Sequence, residues 1–250
     1  MKIRLRLEAL ALIATMGVLT PMARAQWDLY SVSNTNTLMR INPNSGPNFT
    51  ATPIGITQDA SGPVRRVRGL AYHGSTSTMY GMTREGDLVT VDINNGQTVF
   101  KTNVATGPSS QWWSDLAIDP TGQFAYTVNA FGTHDLVKIN LSNYSHTVIG
   151  PTQWSGGTFQ GQFLGVEFHN GRLLGTIRNN MRIVEIDPLT ARFDHTWGSG
   201  TITGTNVQQR AVNPANNTLW RLHDGTGSAG QIVESDVNNN YNAPLYVTLP

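Results

Sequence analysis

The chain has 250 residues, of which 13% are charged, and its formal net charge is +1. It contains no cysteine, which excludes disulfides, iron–sulfur clusters and zinc–thiolate sites. The first 25 residues hold four of the 17 basic residues and one of the 16 acidic ones, so residues 26–250 carry 13 basic and 15 acidic side chains, a net charge of −2. This balance gives no support to nucleic-acid binding. No later apolar run reaches the roughly 18 residues of a membrane span. We therefore predict neither nucleic-acid binding nor a membrane span.

The N-terminal segment has the pattern of an export signal. Lys2, Arg4 and Arg6 precede the apolar run 9–19, and Ala23-Arg24-Ala25 supplies a small-x-small cleavage pattern. We predict that residues 1–25 are a cleaved signal peptide and that residues 26–250 form a single domain. The protein would then be secreted, periplasmic or on the cell surface. An amphipathic first helix is the alternative.

The remaining chain repeats itself with a period near fifty residues. An aromatic or large apolar residue opens a β run five times, and an Asp or Asn closes the next run each time. The first set is Tyr30, Tyr80, Tyr126, Leu174 and Trp220, and the second is Asn42, Asp92, Asn140, Asp187 and Asp236. The second set is spaced by 50, 48, 47 and 49 residues. Such a period, with about four strands in each unit, is typical of a β-propeller blade.

In chain order the blades are predicted at about 27–57, 67–104, 113–150, 163–197 and 207–249. The clearest unit has strands at 69–73, 79–82, 87–92 and 97–104, each bounded by turn residues. We therefore predict an all-β, five-bladed propeller with four antiparallel strands per blade, present as a monomer. The first blade lacks its innermost strand, because no strand pattern precedes Trp27. Either that blade has three strands, or the natural chain continues past Pro250.

The repeated phrase resembles that of a known group of propellers. It reads Met79-Tyr80 followed by Leu88-Val-Thr-Val-Asp92-Ile-Asn-Asn-Gly96, and the segment 29–46 reads similarly. The phrase is similar to that of the bacterial exported propellers related to NHL, YVTN and quinoprotein-like repeats. The resemblance implies a propeller over nearly all of residues 26–250. That group includes lactonases, dehydrogenases and non-catalytic surface proteins, and the recurring Trp docking motif of quinoprotein repeats is missing here.

Binding residues are expected on one face of the propeller, where variable loops join fixed blades. Loops between blades carry Arg65, Arg66, Arg68, Trp112, Trp113, Trp154 and Phe159; loops between second and third strands carry Arg84, Glu85, His134, Arg178 and His223. Aromatic rings can stack on sugars while arginines bond to polar edges. We predict a ligand site formed by Arg65, Arg66, Arg68, Trp112, Trp113, Trp154, Phe159, His134, Arg178 and His223. Alternatively, one or both of Trp112 and Trp113 pack in the core, and the arginines form a solvated loop.

Oxygen ligands near the channel suggest a second site. Asp115 and Glu167 lie in predicted inner strands, and Asn180 and Asp224 lie in loops. Together they could hold Ca²⁺, which takes six to eight oxygen ligands. The resemblance to calcium lactonases matches only Asp115 and Glu167, and Asp115 could equally cap a strand by accepting backbone N–H groups.

No motif for a catalytic nucleophile, zinc or phosphate is present. His73 and His169, and the Asp or Asn that ends each third strand, are interpreted as turn residues. Our leading hypothesis is an exported, non-catalytic propeller that binds a polysaccharide, matrix component or extracellular protein on its loop face, without a cofactor. The alternatives are a Ca²⁺-dependent lactonase or hydrolase at the channel mouth, and a scaffold without a ligand.

Overall fold

The computed structural model describes residues 28–42, 50–105, 112–157, 163–177, 183–197, 206–213, 218–224, 231–235 and 245–248, with side chains as far as Asp194 and at Leu219. These residues form 21 strands in five antiparallel-based sheets, which we number I to V. Within these ranges there is no helix, and hence none long and apolar enough to cross a membrane. The prediction of an all-β fold is confirmed.

The first two sheets cover the chain up to Asn103. Sheet I contains β1 (Leu29–Val32), β2 (Thr37–Asn42) and β3 (Thr50–Ile56) in that order. Sheet II contains β4 (Gln58–Asp59), β5 (Val67–His73), β6 (Thr78–Thr83), β7 (Asp87–Val91) and β8 (Gln97–Asn103), in the order β4-β8-β7-β6-β5.

Three further sheets follow. Sheet III contains β9 (Trp112–Ile118), β10 (Phe124–Phe131), β11 (Asp135–Asn140) and β12 (His146–Pro151). Sheet IV contains β13 (Gln153–Trp154), β14 (Phe163–His169), β15 (Arg172–Ile177), β16 (Ile183–Ile186) and β17 (Arg192–Trp197), in the order β13-β17-β16-β15-β14. Sheet V contains β18 (Asn206–Asn213), β19 (Thr218–Asp224), β20 (Gln231–Ser235) and β21 (Leu245–Thr248).

The sheets are arranged as a β-propeller. Their first long strands contact one another in succession, β5 with β9, β9 with β14 and β14 with β18, and β18 also contacts β5. Each of sheets II to V has at least four strands and forms a complete blade, whereas sheet I has three. The structure therefore shows four blades within the residues that it describes, and the predicted fifth blade is not confirmed. The prediction of four antiparallel strands per blade is wrong for sheets II and IV, which have five strands each. There the connecting segment adds a short fifth strand, β4 or β13, which pairs parallel to the outer strand.

Among the side chains described, the hydrophobic core lies between neighbouring sheets from I to IV. Leu38 of sheet I packs with Val67 and Val89 of sheet II. Tyr80 of sheet II packs with Trp113 of sheet III. A third cluster joins sheets III and IV and contains Tyr126, Val128, Phe163, Val166, Ile186 and Phe193.

The turn residues have the roles expected from the sequence. The Oδ1 atoms of Asp92, Asn140 and Asp187 accept backbone N–H groups two residues ahead, at 2.8, 2.9 and 2.8 Å. At Asp187 the bond from the Leu189 N–H is the main cause of a pKa below the usual aspartate value. His73 accepts the Thr76 N–H at Nδ1, so its Nε2–H donates to the Gly122 carbonyl of the next sheet at 2.7 Å.

A second device fastens the end of an outer strand to its own sheet. The carbonyl of a left-handed residue in the β1–β2, β6–β7 or β10–β11 turn accepts the backbone N–H of the residue just after the outer strand of the same sheet. The three pairs are Asn36 with Thr57, Gly86 with Val104 and His134 with Thr152, each at 2.8 Å. Thr57 and Thr152 add a hydroxyl bond to the same carbonyl.

A β-bulge recurs near the start of every inner strand. The register with the second strand shifts between Val67 and Gly69 in β5, between Trp113 and Leu116 in β9, and at the matching place in β14 and β18. A bulge turns successive side chains onto new faces. It therefore decides which residues at this end of the strand point into the core and which reach the loops.

Candidate functional site

Three segments of the loop face are joined by backbone hydrogen bonds. The Arg84 N–H, in the turn between β6 and β7, donates to the Arg66 carbonyl at 2.8 Å. The Trp113 N–H, at the start of β9, donates to the Arg84 carbonyl at 3.1 Å. The connector before β5, the β6–β7 turn and the start of β9 are thereby held in one arrangement.

These segments bring together two arginines and two aromatic rings. The rings of Trp112 and Phe131 are stacked, with centroids 5.0 Å apart and planes inclined by 25°. The Cζ atoms of Arg84 and Arg68 lie 4.3 and 5.6 Å from the centre of the Trp112 ring. Both distances are within the range of cation–π attraction. We call Arg68, Arg84, Trp112 and Phe131 the arginine–aromatic cluster.

Arg84 gives the cluster a positive charge at the loop face. Among residues whose side chains are described, no carboxylate pairs with Arg84. The neighbouring Glu85 instead lies 3.8 Å from Arg66, and both of those side chains are more than half exposed. Such an exposed pair stabilises little and leaves both groups accessible.

Arg65 was predicted as a ligand contact, and the structure places it in an internal network. Its guanidinium bonds Asp59 at 2.6 Å and Asp87 at 2.7 Å, and it lies 5.9 Å from the centre of the Phe100 ring. The hydrogen bond from Arg65 is the main cause of the lowered pKa of Asp59. Arg65 therefore ties the connector to the outer strands of sheet II.

The adjacent tryptophans have different environments. Trp113 is fully buried in the core between sheets II and III, as one of the alternatives had it, whereas Trp112 is half-buried in the cluster. A Cβ on Gly86 would come within 2.7 Å of the Trp113 Nε1, so the turn that carries Arg84 rests directly on this indole. Trp113 thus packs beneath the loop face, and because it is fully buried it cannot contact a ligand.

Trp154 and His134 take part in none of the ring contacts that define the cluster. Trp154 is on β13 at the outer edge of sheet IV, half-buried, with its ring 5.6 Å from the ring of Phe193. His134 occupies the loop after β10 with a left-handed backbone (φ 58°). Its Nδ1 is buried and makes no hydrogen bond with the described residues.

The proposed calcium ligand Asp115 is engaged by the backbone. It is 1% exposed, its Oδ1 accepts the Leu116 N–H at 2.9 Å, and its Oδ2 accepts the Val166 N–H of sheet IV at 3.0 Å. The Oε1 of Glu167 accepts the Phe168 N–H at 3.1 Å. Within the part of the chain whose side chains are described, no three acidic or histidine side chains converge on a possible metal position.

The structure describes the remaining predicted site residues by their backbone alone or not at all. Phe159, Arg178 and Asn180 lie outside the described residues. His223 and Asp224 are described by their backbone alone, at the end of β19. Conversely, the cluster contains Phe131 and Arg84, and neither belongs to the ligand site predicted from the sequence. The one available signal for Arg84 was its place in a loop next to the arginines of the connector.

Comparison with known proteins supports the fold. No protein-family model matches the sequence, and no curated protein sequence matches it either. A chain of a nidogen–laminin complex is 12% identical with a TM-score of 0.55, over 88% of this chain and 76% of that one. A Myxococcus xanthus glutaminyl cyclase is 14% identical with a TM-score of 0.53, over 70% and 68%.

A Bacteroides thetaiotaomicron protein of unknown function is 12% identical with a TM-score of 0.57; 89% of this chain is covered and 58% of that one. The fold is a β-propeller. At these identities the likeness extends to the fold alone, and the neighbours differ in what they do.

Proposed function

We propose that this protein is an exported, non-catalytic β-propeller that binds a carbohydrate, matrix component or protein at the arginine–aromatic cluster. The observation that carries the proposal is the Arg84 guanidinium, which is stacked 4.3 Å from the centre of the Trp112 ring. No acidic partner for it exists among the described side chains. A cation held on a rigid ring at a loop face, without an internal counterion, is suited to contact a ligand.

Preorganisation supports this role. The hydrogen bonds that link Arg66, Arg84 and Trp113 fix the backbone of all three contributing segments. The stacking of Phe131 against Trp112 restricts the indole as well. Binding then requires little further ordering of side chains, and the entropic cost of association is reduced.

We also propose that sheet I is an incomplete fifth blade. Its strands occupy the second, third and fourth positions of the repeat, and β1 contacts β5 of sheet II. Gly55 of β3 packs against the turn of sheet II so closely that a Cβ would lie 2.1 Å from the Asn95 carbonyl oxygen. Such contact between backbones is consistent with a blade packed into the ring. The export proposal depends on the sequence of residues 1–25, which lie outside the described residues.

A binding screen tests the function. The protein and its Trp112→Ala and Arg84→Gln variants would be applied to arrays of polysaccharides and of extracellular matrix proteins. Trp154→Ala is the matched control, because it removes a half-buried tryptophan at the outer edge of sheet IV. We expect at least one ligand whose binding decreases in both cluster variants and persists in the control. Ligands that bind the wild type and all three variants alike would refute the proposal.

A further inference from the structure

The contacts of Trp112 restrict how a ligand can be recognised. The Phe131 ring and the Cζ atoms of Arg84 and Arg68 lie 5.0, 4.3 and 5.6 Å from the centre of the Trp112 ring, so a sugar would compete with them for its faces. Stacking of a neutral sugar on Trp112, as the sequence alone suggested, would need this surface to be vacant. The group that we assign to the ligand is the N–H edge of the Arg84 guanidinium, because guanidinium ions bind carboxylates in a planar, two-pronged manner.

The electrostatics favour a negatively charged ligand. The Arg84 guanidinium pairs with no carboxylate among the described side chains. Glu85, the acidic neighbour in the turn, extends towards Arg66. An anion placed at this edge would form charge-assisted hydrogen bonds with the Arg84 guanidinium, whereas a neutral ligand would form weaker ones.

Buried groups next to the cluster are also hydrogen-bond donors. The Trp113 Nε1–H and the Asn129 amide N–H are buried and have no acceptor among the described residues. The Asn129 orientation is fixed, because its Oδ1 accepts the Phe131 N–H at 3.0 Å. Buried donors without acceptors cost free energy in a protein interior, and these two add to the positive potential around the arginine–aromatic cluster.

The surroundings of the cluster favour a polymer of sugars over a protein. Protein interfaces are usually centred on exposed apolar or aromatic side chains. The exposed large apolar side chains of the described region include no member of the cluster; they are Ile56, Val64, Tyr72, Val99, Phe100, Val148 and Leu189. Most of these lie on outer strands or on strand-end turns, away from the start of β9.

From these observations we propose that the ligand is an anionic polysaccharide, whose uronate carboxylates bind the guanidinium edge of Arg84 with Arg66 and Arg68 beside it. This inference rests on the proposed function and assigns a chemical class to its ligand. Recognition depends on charge and on the planar carboxylate. The neutral face of the sugar ring contributes less.

The test uses polygalacturonate and its fully methyl-esterified form, which keeps the sugar rings and removes the charge. Affinity of the protein for each would be measured at low and at high salt. We expect binding to polygalacturonate that weakens with salt and is lost on esterification. Arg84→Gln should lower the affinity at least about tenfold, as expected for loss of a charged hydrogen bond. Arg172→Gln is the control, since Arg172 is an exposed arginine at the opposite end of the sheet IV strands.

The outcomes separate the two proposals. Equal binding of both polymers, absence of binding to polygalacturonate, or equal losses in Arg84→Gln and Arg172→Gln would overturn the anionic-polysaccharide inference. If the array screen at the same time finds a matrix protein or neutral glycan whose binding depends on Trp112 and Arg84, the proposed function stands with another ligand. Thermal melting of each variant confirms that a lost affinity is not a lost fold.

Discussion

Replacing Asp115 with alanine removes an acceptor that joins two neighbouring sheets. Its two carboxylate oxygens accept the N–H groups of Leu116 in sheet III and Val166 in sheet IV, at 2.9 and 3.0 Å. The side chain is 1% exposed, so water cannot easily replace it. The substitution therefore leaves two buried N–H groups without this partner and a space between β9 and β14.

The expected loss follows from those two groups. Each buried N–H left without an acceptor costs about 1–3 kcal/mol, so we expect Asp115→Ala to lower the free energy of unfolding by about 3 kcal/mol. For a domain of this size that is a decrease of roughly 6–12 °C in melting temperature. Asp115→Asn should be destabilised as well, because its amide offers one oxygen and turns an N–H donor towards the other backbone N–H.

Thermal and denaturant unfolding, each in EDTA and in millimolar Ca²⁺, measure the effect. We expect the same destabilisation in both buffers and no rise in the wild-type melting temperature with Ca²⁺. Asp194→Asn, an exposed aspartate on β17, is the control. Wild-type stability of Asp115→Ala in EDTA would refute the reasoning. A wild-type melting temperature that rises with Ca²⁺ and an Asp115→Asn variant that lacks the rise would instead support the calcium site.

Two further predictions concern sheet II. A Cβ at Gly69 would lie 2.4 Å from the Asp115 Cα, so Gly69→Ala should lower the free energy of unfolding by about 1–3 kcal/mol in urea unfolding. Gly74→Ala is the control and should be near neutral, because no atom lies within 4 Å of a Cβ at Gly74. Arg65 lowers the folded-state pKa of Asp59 below its unfolded value. Their pairing should therefore stabilise the protein fully above the unfolded pKa of about 3.9, and this stabilisation should be lost as pH falls through the folded-state pKa. Asp59→Asn should accordingly destabilise by about 1 kcal/mol at pH 7 and progressively less in acid; an equal loss at pH 7 and well below pH 3 would contradict this assignment.

The sequence predicts the strands well because each blade repeats the same alternation of apolar residues and the same turn residues. The strands of sheet II, for example, lie where the repeat places them. The short strands β4 and β13 escape prediction, since a pairing of two residues has no periodicity. Each follows a buried threonine, Thr57 or Thr152, whose hydroxyl donates to a turn carbonyl. This recurrence is visible only once the contacts are known.

The candidate site was harder to predict because a bulge changes the alternation. Residues three apart on a regular strand point to opposite faces, yet Trp113 and Leu116 share one core cluster. The register shift between them turns Trp113 inward and leaves Trp112 at the loops. Nothing in the residue types alone marks that shift. The stacking of Arg84 on Trp112 depends on it, so the cluster follows from a backbone irregularity.

The contact between β18 and β5 has a consequence for how the molecule folds. The strand pairings of the described residues all lie within single sheets made of neighbouring segments, so each sheet can form without waiting for distant parts. Closing the ring is different, because it brings together the second and the last sheets. Loop-closure entropy makes this the slowest kind of contact to form. We therefore expect ring closure to be the final, rate-limiting event of folding, and the seam between β18 and β5 to be where the closed ring first opens.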